Sequence, residues 1–116
     1  MSILRRSDEE ILEAANHILD TKHEAARQQD WAKYSKYMLP EHITPEHQEE
    51  VEKQWHEQEV LRTLTNKREL LGIFRQENRV LVSWKQWSTA TEDELLAVLW
   101  LTEHNSDIKA CGNRIF

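Results

Sequence analysis

The sequence predicts an α+β fold, with N-terminal helices packed on a curved antiparallel sheet, and three observations carry that prediction. Helix caps and helical spacing of apolar residues occupy the chain as far as Arg62. From Glu69 onward the apolar period drops to two, the alternation of a strand. Gly72 and Gly112 are the only glycines and Pro40 and Pro45 the only prolines, too few to build a linker, so both halves are expected to form one domain spanning residues 1–116.

The first helix opens at Ser7-Asp8-Glu9-Glu10, a capping box in which the Ser7 hydroxyl accepts a backbone N–H three residues on while Glu10 reaches back. Ile11, Leu12, Ala15, Ile18, Leu19, Lys22, Ala25 and Ala26 then share one stripe to about Gln28, which predicts packing on the sheet. Asp30 is a second N-cap, followed by Trp31, Tyr34 and Met38 on one face of a short helix that Pro40 must end. Thr44-Pro45-Glu46 opens a third, with proline where its missing N–H costs nothing and acid where the helix dipole favours it. Val51 and Trp55 align on that helix but Gln48, Gln58 and Arg62 continue their face, which predicts an exposed helix that breaks or rotates near Gln58.

Turn-forming pieces at Glu77-Asn78, Thr89 to Asp93 and His104 to Asp107 divide the remainder into four strands, near Lys67 to Gln76, Arg79 to Ser88, Glu94 to Glu103 and Ile108 to Phe116. Short connections make an antiparallel meander. Both faces of the middle strands are apolar: Leu95, Ala97, Leu99 and Leu101 lie opposite Leu96, Val98 and Trp100. The three helices have too little apolar stripe to cover both faces, so a homodimer through the sheet is expected.

Composition narrows the function classes. A net charge of −6 with scattered basic residues argues against nucleic-acid binding. No apolar run approaches a membrane span or a signal peptide, and Cys111 is the single cysteine, so a cytoplasmic protein without disulfides is expected. The Glu-rich stretch Glu46 to Glu59 reads as a solvated helix face. No metal site is expected from the six histidines: His23-Glu24 and His56-Glu57 each begin a zincin-like pattern, but Arg27 and Val60 stand where the second histidine would be. His17 projects away from the apolar stripe, His42 and His47 flank Pro45 irregularly, and His104 falls in a turn. Gly-rich phosphate loops and a nucleophile elbow are both lacking, so no cofactor is expected, and each glycine is expected to mark a bulge or bend in a curved sheet.

The order of elements, with the segment Gln28-Gln29-Asp30-Trp31-Ala32-Lys33-Tyr34, resembles the nuclear transport factor 2-like superfamily, the cone-shaped α+β roll shared with ketosteroid isomerase and SnoaL-type polyketide cyclases. The resemblance implies a pocket between helices and sheet, lined by aromatic and aliphatic side chains, and pairing of subunits through their sheets. The segment Met38 to Ile43 is short and holds Pro40 where relatives commonly place a strand or hairpin, which implies a reduced or open pocket mouth.

Isomerase chemistry would need a tyrosine, a carboxylic acid and a carboxylate base aimed into the cone. Tyr34 and Tyr37 are the phenols, but Glu69, Glu94 and Glu103 fall near strand ends as solvated or edge-protecting charges, so catalytic residues are not assigned. Five tryptophans are the most unusual feature, and Trp84 and Trp87, three apart in one strand, must face opposite sides of the sheet. Tyr34, Trp55, Trp84 and Trp100 are the candidate ligand-binding residues. A binder of a small, largely apolar molecule is the leading expectation. The alternatives are an interaction module using the sheet face or the acidic helix, and an enzyme of the isomerase, cyclase or dehydratase kind.

Overall fold

A computed structural model describes residues 2–116. A short 3-10 turn, Ile3–Arg5, precedes four helices, α1 (Asp8–Gln28), α2 (Trp31–Tyr34), α3 (Pro45–Glu57) and α4 (Glu59–Arg62). Four strands complete the chain: β1 (Leu64–Arg75), β2 (Val80–Ser88), β3 (Thr91–His104) and β4 (Asp107–Ile115). They form one curved antiparallel sheet in the order β1-β2-β3-β4, the α+β roll expected.

The capping box at Ser7 is formed, with Ser7 Oγ accepting from Glu10 N at 3.2 Å and Glu10 Oε1 accepting from Ser7 N at 3.3 Å. Helix α1 ends where Gln29 takes left-handed geometry at φ 53°, which lets its N–H reach the last carbonyls of the helix. Its stripe of Ile11, Ala15, Ile18 and Leu19 meets Val80, Val82 and Trp84 of β2 and Ala97, Leu99 and Leu101 of β3 in the main core. That core takes the even positions of β2 and the odd positions of β3, as cross-strand pairs such as Val82 with Leu99 and Trp84 with Ala97 require.

Bulges bend the sheet. The register slips between Leu70 and Gly72 in β1, and between Trp100 and Leu101 opposite β4, where Cys111 is the extra residue beside Gly112. A Cβ on Gly112 would lie 3.3 Å from the Trp100 ring, so the glycine lets that indole cover the strand. The β3–β4 turn places Asn105 at φ 52° and Ser106 at φ 71°, the twin positive angles of a tight hairpin whose twist suits the strands.

Several boundaries differ from the sequence reading. Helix α2 ends at Tyr34 rather than running to Pro40, and Met38 instead makes a parallel bridge to Ala110 of β4. Ala110 N donates to Tyr37 O at 2.7 Å and Leu39 N to Ala110 O at 3.1 Å, so tertiary pairing with a sheet edge outcompetes a last helical turn. Strand β1 begins at Leu64 and β3 at Thr91, each three residues early, because Leu64 already pairs with Ser88 and Ser88 with Thr91. The break at Gln58 occurs as expected and separates α3 from α4.

Glu103 is not a solvated end charge. Its side chain is 11% exposed, and Arg6 Nη2 reaches its Oε1 at 2.7 Å, which ties the N-terminal turn to β3. No helix among the described residues is long and apolar enough to cross a membrane.

Candidate functional site

A cavity of about 520 Å³ lies between α1, α2, α3 and the edge strand β4, within the size range of small-ligand sites. Its shape follows from the local sequence. The Met38–Ala110 bridge pins the α2–α3 connection to the β4 edge, and the Thr44 cap, accepting from His47 N at 3.1 Å, starts α3 on the far side. Val51 and Trp55, four apart, turn one face of α3 inward, where they pack with Ala26, Trp31, Tyr34 and Leu61 in a second apolar cluster. Exposed Glu50 and Gln54 of α3, with Gln58 at the break after it, form the rim.

Of the aromatic residues singled out from the sequence, Tyr34 and Trp55 line this cavity. Their rings meet edge to face at 5.3 Å, and Trp31 stacks on Tyr34 at 5.9 Å. Trp84 stands elsewhere, in the main core under α1 with 2% exposure. Trp100 stands on the outer sheet face opposite Gly112, with the Arg79 guanidinium 5.7 Å from its ring. Trp84 and Trp87 face opposite sides, Trp84 inward and Trp87 outward beneath Lys67.

Two polar residues of α1 complete the wall. Lys22 is 3% exposed, and its Nζ donates to the Tyr34 carbonyl at 3.3 Å and sits 3.7 Å above the Tyr34 ring. Burial lowers its ammonium to about 7. His23 is equally buried, and neither ring nitrogen makes a hydrogen bond; the Thr65 backbone, the weakest influence on the ring, misses bonding geometry. Burial first, then the positive charges of Arg68, Arg27 and Lys22, push the imidazole down to about 3, so it is neutral near pH 7.

The hydroxyl end of Tyr34 is enclosed and donates to Asn113 Oδ1 of β4 at 3.0 Å, and burial raises the phenol above its ordinary value. His47 bonds the His42 carbonyl through Nδ1 at 2.8 Å and meets the Trp31 ring edge on, which holds the connection at the cavity wall. Chemically, the wall offers a lysine poised between ammonium and amine, a neutral imidazole with both nitrogens unengaged, and an aromatic and aliphatic lining. Glu50, exposed on the rim, is the wall's carboxylate among the described residues, and one acid does not supply the pair that the isomerase chemistry requires.

Elsewhere, His17 is exposed, with Nε2 2.8 Å from the Tyr37 hydroxyl. Cys111 belongs to the cavity wall, and partial burial raises its thiol, which makes it a poor nucleophile. No group of three or more His, Cys, Asp or Glu among the described residues is placed to hold a metal ion.

Sequence reasoning placed Lys22 on the apolar stripe of α1 but missed His23. The signal for it was the spacing: His23 follows Leu19 by four residues, on the buried side of the helix. No protein-family model and no curated protein matches the chain.

Proposed function

We propose that this chain is a nuclear transport factor 2-like domain that binds a small, largely apolar molecule in the cavity between its helices and β4. The cavity itself carries this reading: about 520 Å³, with Tyr34, Val51, Trp55 and Leu61 forming an apolar patch on its wall and polar side chains, Lys22, His47, Gln54 and Asn113 among them, on the rest. The apolar patch takes the apolar body of a ligand while the polar groups around it orient the rest. The family assignment rests on the order of elements and on the place of the cavity between helices and curved sheet.

A small molecule held there favours the folded state and raises its apparent stability. In a thermal-shift screen of apolar metabolites, stabilising hits are expected that quench tryptophan fluorescence and lose effect when Trp55 is replaced by alanine. A screen without hits, or hits indifferent to W55A, argues against the cavity as the binding site.

The second surface supports pairing of two copies. The outer sheet face carries Phe74, Leu81, Leu96, Val98 and Trp100, with Phe74 53% and Leu96 39% exposed. An apolar face of this kind is stabilised by covering it, and a second copy supplies the same face by two-fold symmetry. Sedimentation at micromolar concentration is expected to give twice the 13.9 kDa chain mass, and F74D with L96D to give the monomer. A wild-type monomer under those conditions overturns the dimer.

A further inference from the structure

Lys22 is an unusual resident of an apolar helix stripe, and its surroundings leave it incomplete. Its ammonium has three donors, of which one is directed at the Tyr34 carbonyl. Among the described residues no carboxylate lies within ion-pair distance of it, whereas Arg6, Lys33, Arg68, Arg75 and Lys85 each have a carboxylate partner. The groups facing it are Tyr34 from α2 and its own neighbour His23, with His47 and Glu50 from α3, His42 from the connection and Arg114 from β4 on the rest of the wall. The neighbouring His23 ring is itself closed off, with Arg68, Arg27 and the Thr65 backbone around it, and so leaves the open side of Lys22 to the cavity.

We infer that the ligand of this cavity is an amphiphilic carboxylic acid, whose carboxylate sits on Lys22 Nζ while its apolar body lies along Val51, Trp55 and Leu61. This deepens the proposed function and rests on it. The chemistry favours a single negative charge: one buried lysine balances a carboxylate, and the apolar cluster on α3 suits the aliphatic remainder. Binding a carboxylate requires the protonated amine, so affinity falls as pH rises above the free lysine's value near 7, whereas His23 stays neutral throughout that range.

The test is a titration with octanoate, octanol and octylamine, followed by intrinsic fluorescence, on the wild type and on Lys22→Met. Octanoate is expected to bind wild type at least about tenfold more tightly than octanol near pH 6.5, with octylamine weakest, and to weaken by up to about tenfold per pH unit above pH 7. In K22M the preference for the acid is expected to vanish while octanol binding persists. Octanol binding as tightly as octanoate, or a preference that survives in K22M, overturns the carboxylate assignment and leaves the cavity reading intact. Failure of all three probes on both proteins overturns the two together.

Discussion

Lys22→Met should make the protein more stable at pH 7, by about 2–3 kcal/mol, as read from urea midpoints. The lysine is 3% exposed and its pKa is about 7 in the folded chain. In the unfolded chain it returns to roughly 10.4, and at about 1.4 kcal/mol per pH unit the folded state bears close to 5 kcal/mol for burying it. Methionine has similar length and no charge, so it removes that cost. It also removes the bond to the Tyr34 carbonyl and the contact with the Tyr34 ring, together about 2 kcal/mol, which sets the net gain.

The pH dependence separates this account from simple repacking. Between pH 7 and about 10.4 the unfolded lysine keeps a proton that the folded lysine has released, so wild-type stability should rise with pH across that window. In K22M the rise should disappear, so the variant's lead at pH 7 should shrink and reverse toward the alkaline end, where only the lost Tyr34 contacts remain. A variant less stable than wild type at pH 7, or an unchanged alkaline slope, would show that Lys22 is not held at the expense of the fold. A residue that destabilises the free protein is the kind retained for binding.

Trp84→Ala should cost about 3–5 kcal/mol, the range for removing a large aromatic side chain from a packed core. Trp84 is 2% exposed, lies among the residues that α1 presses onto β2 and β3, and pairs across the sheet with Leu70 and Ala97. The Arg68 guanidinium stands 5.8 Å from its ring and is held by Asp20 at 2.6 Å and by the Asn16 carbonyl at 3.2 Å, so the cavity left behind would also loosen the β1–α1 contact. Small domains are stable by about 0.05–0.15 kcal/mol per residue, so this loss is a large share of the total. Trp87→Ala is the control. Its ring lies on the outer face beneath Lys67, 4.7 Å away, and its removal should cost under about 1.5 kcal/mol. Equal effects at the two positions would contradict the inward and outward assignment of the strand.

Caps and periods carried most of the fold in advance, because they act locally. The Ser7 box, the Thr44-Pro45 start, the break at Gln58, the four-strand meander and the bulges at Gly72 and Gly112 each depend on a few consecutive residues, and each is present. Helix α2 shows where local signals end. Its apolar spacing continues to Met38, but β4, more than seventy residues away, captures Tyr37 through Leu39 at its edge.

The candidate site was legible only in part for the same reason. Tyr34 and Trp55 reach the cavity because each lies on a helix face whose spacing the sequence displays. Trp84 and Trp87 could be assigned to opposite faces of the sheet, since alternation along β2 requires it, but which face α1 covers, and that Trp100 stands on the other one, are matters of packing and register. By itself the sequence determined one α+β chain, its helix starts, its strand alternation and the apolar character of both sheet faces. Only the tertiary structure decided that Lys22 and His23 are enclosed beside Tyr34, that Glu103 is bound by Arg6, and that a cavity remains between α3 and β4. Periodicity reports the direction a side chain takes from its own element, whereas burial and pairing depend on which distant element arrives opposite it.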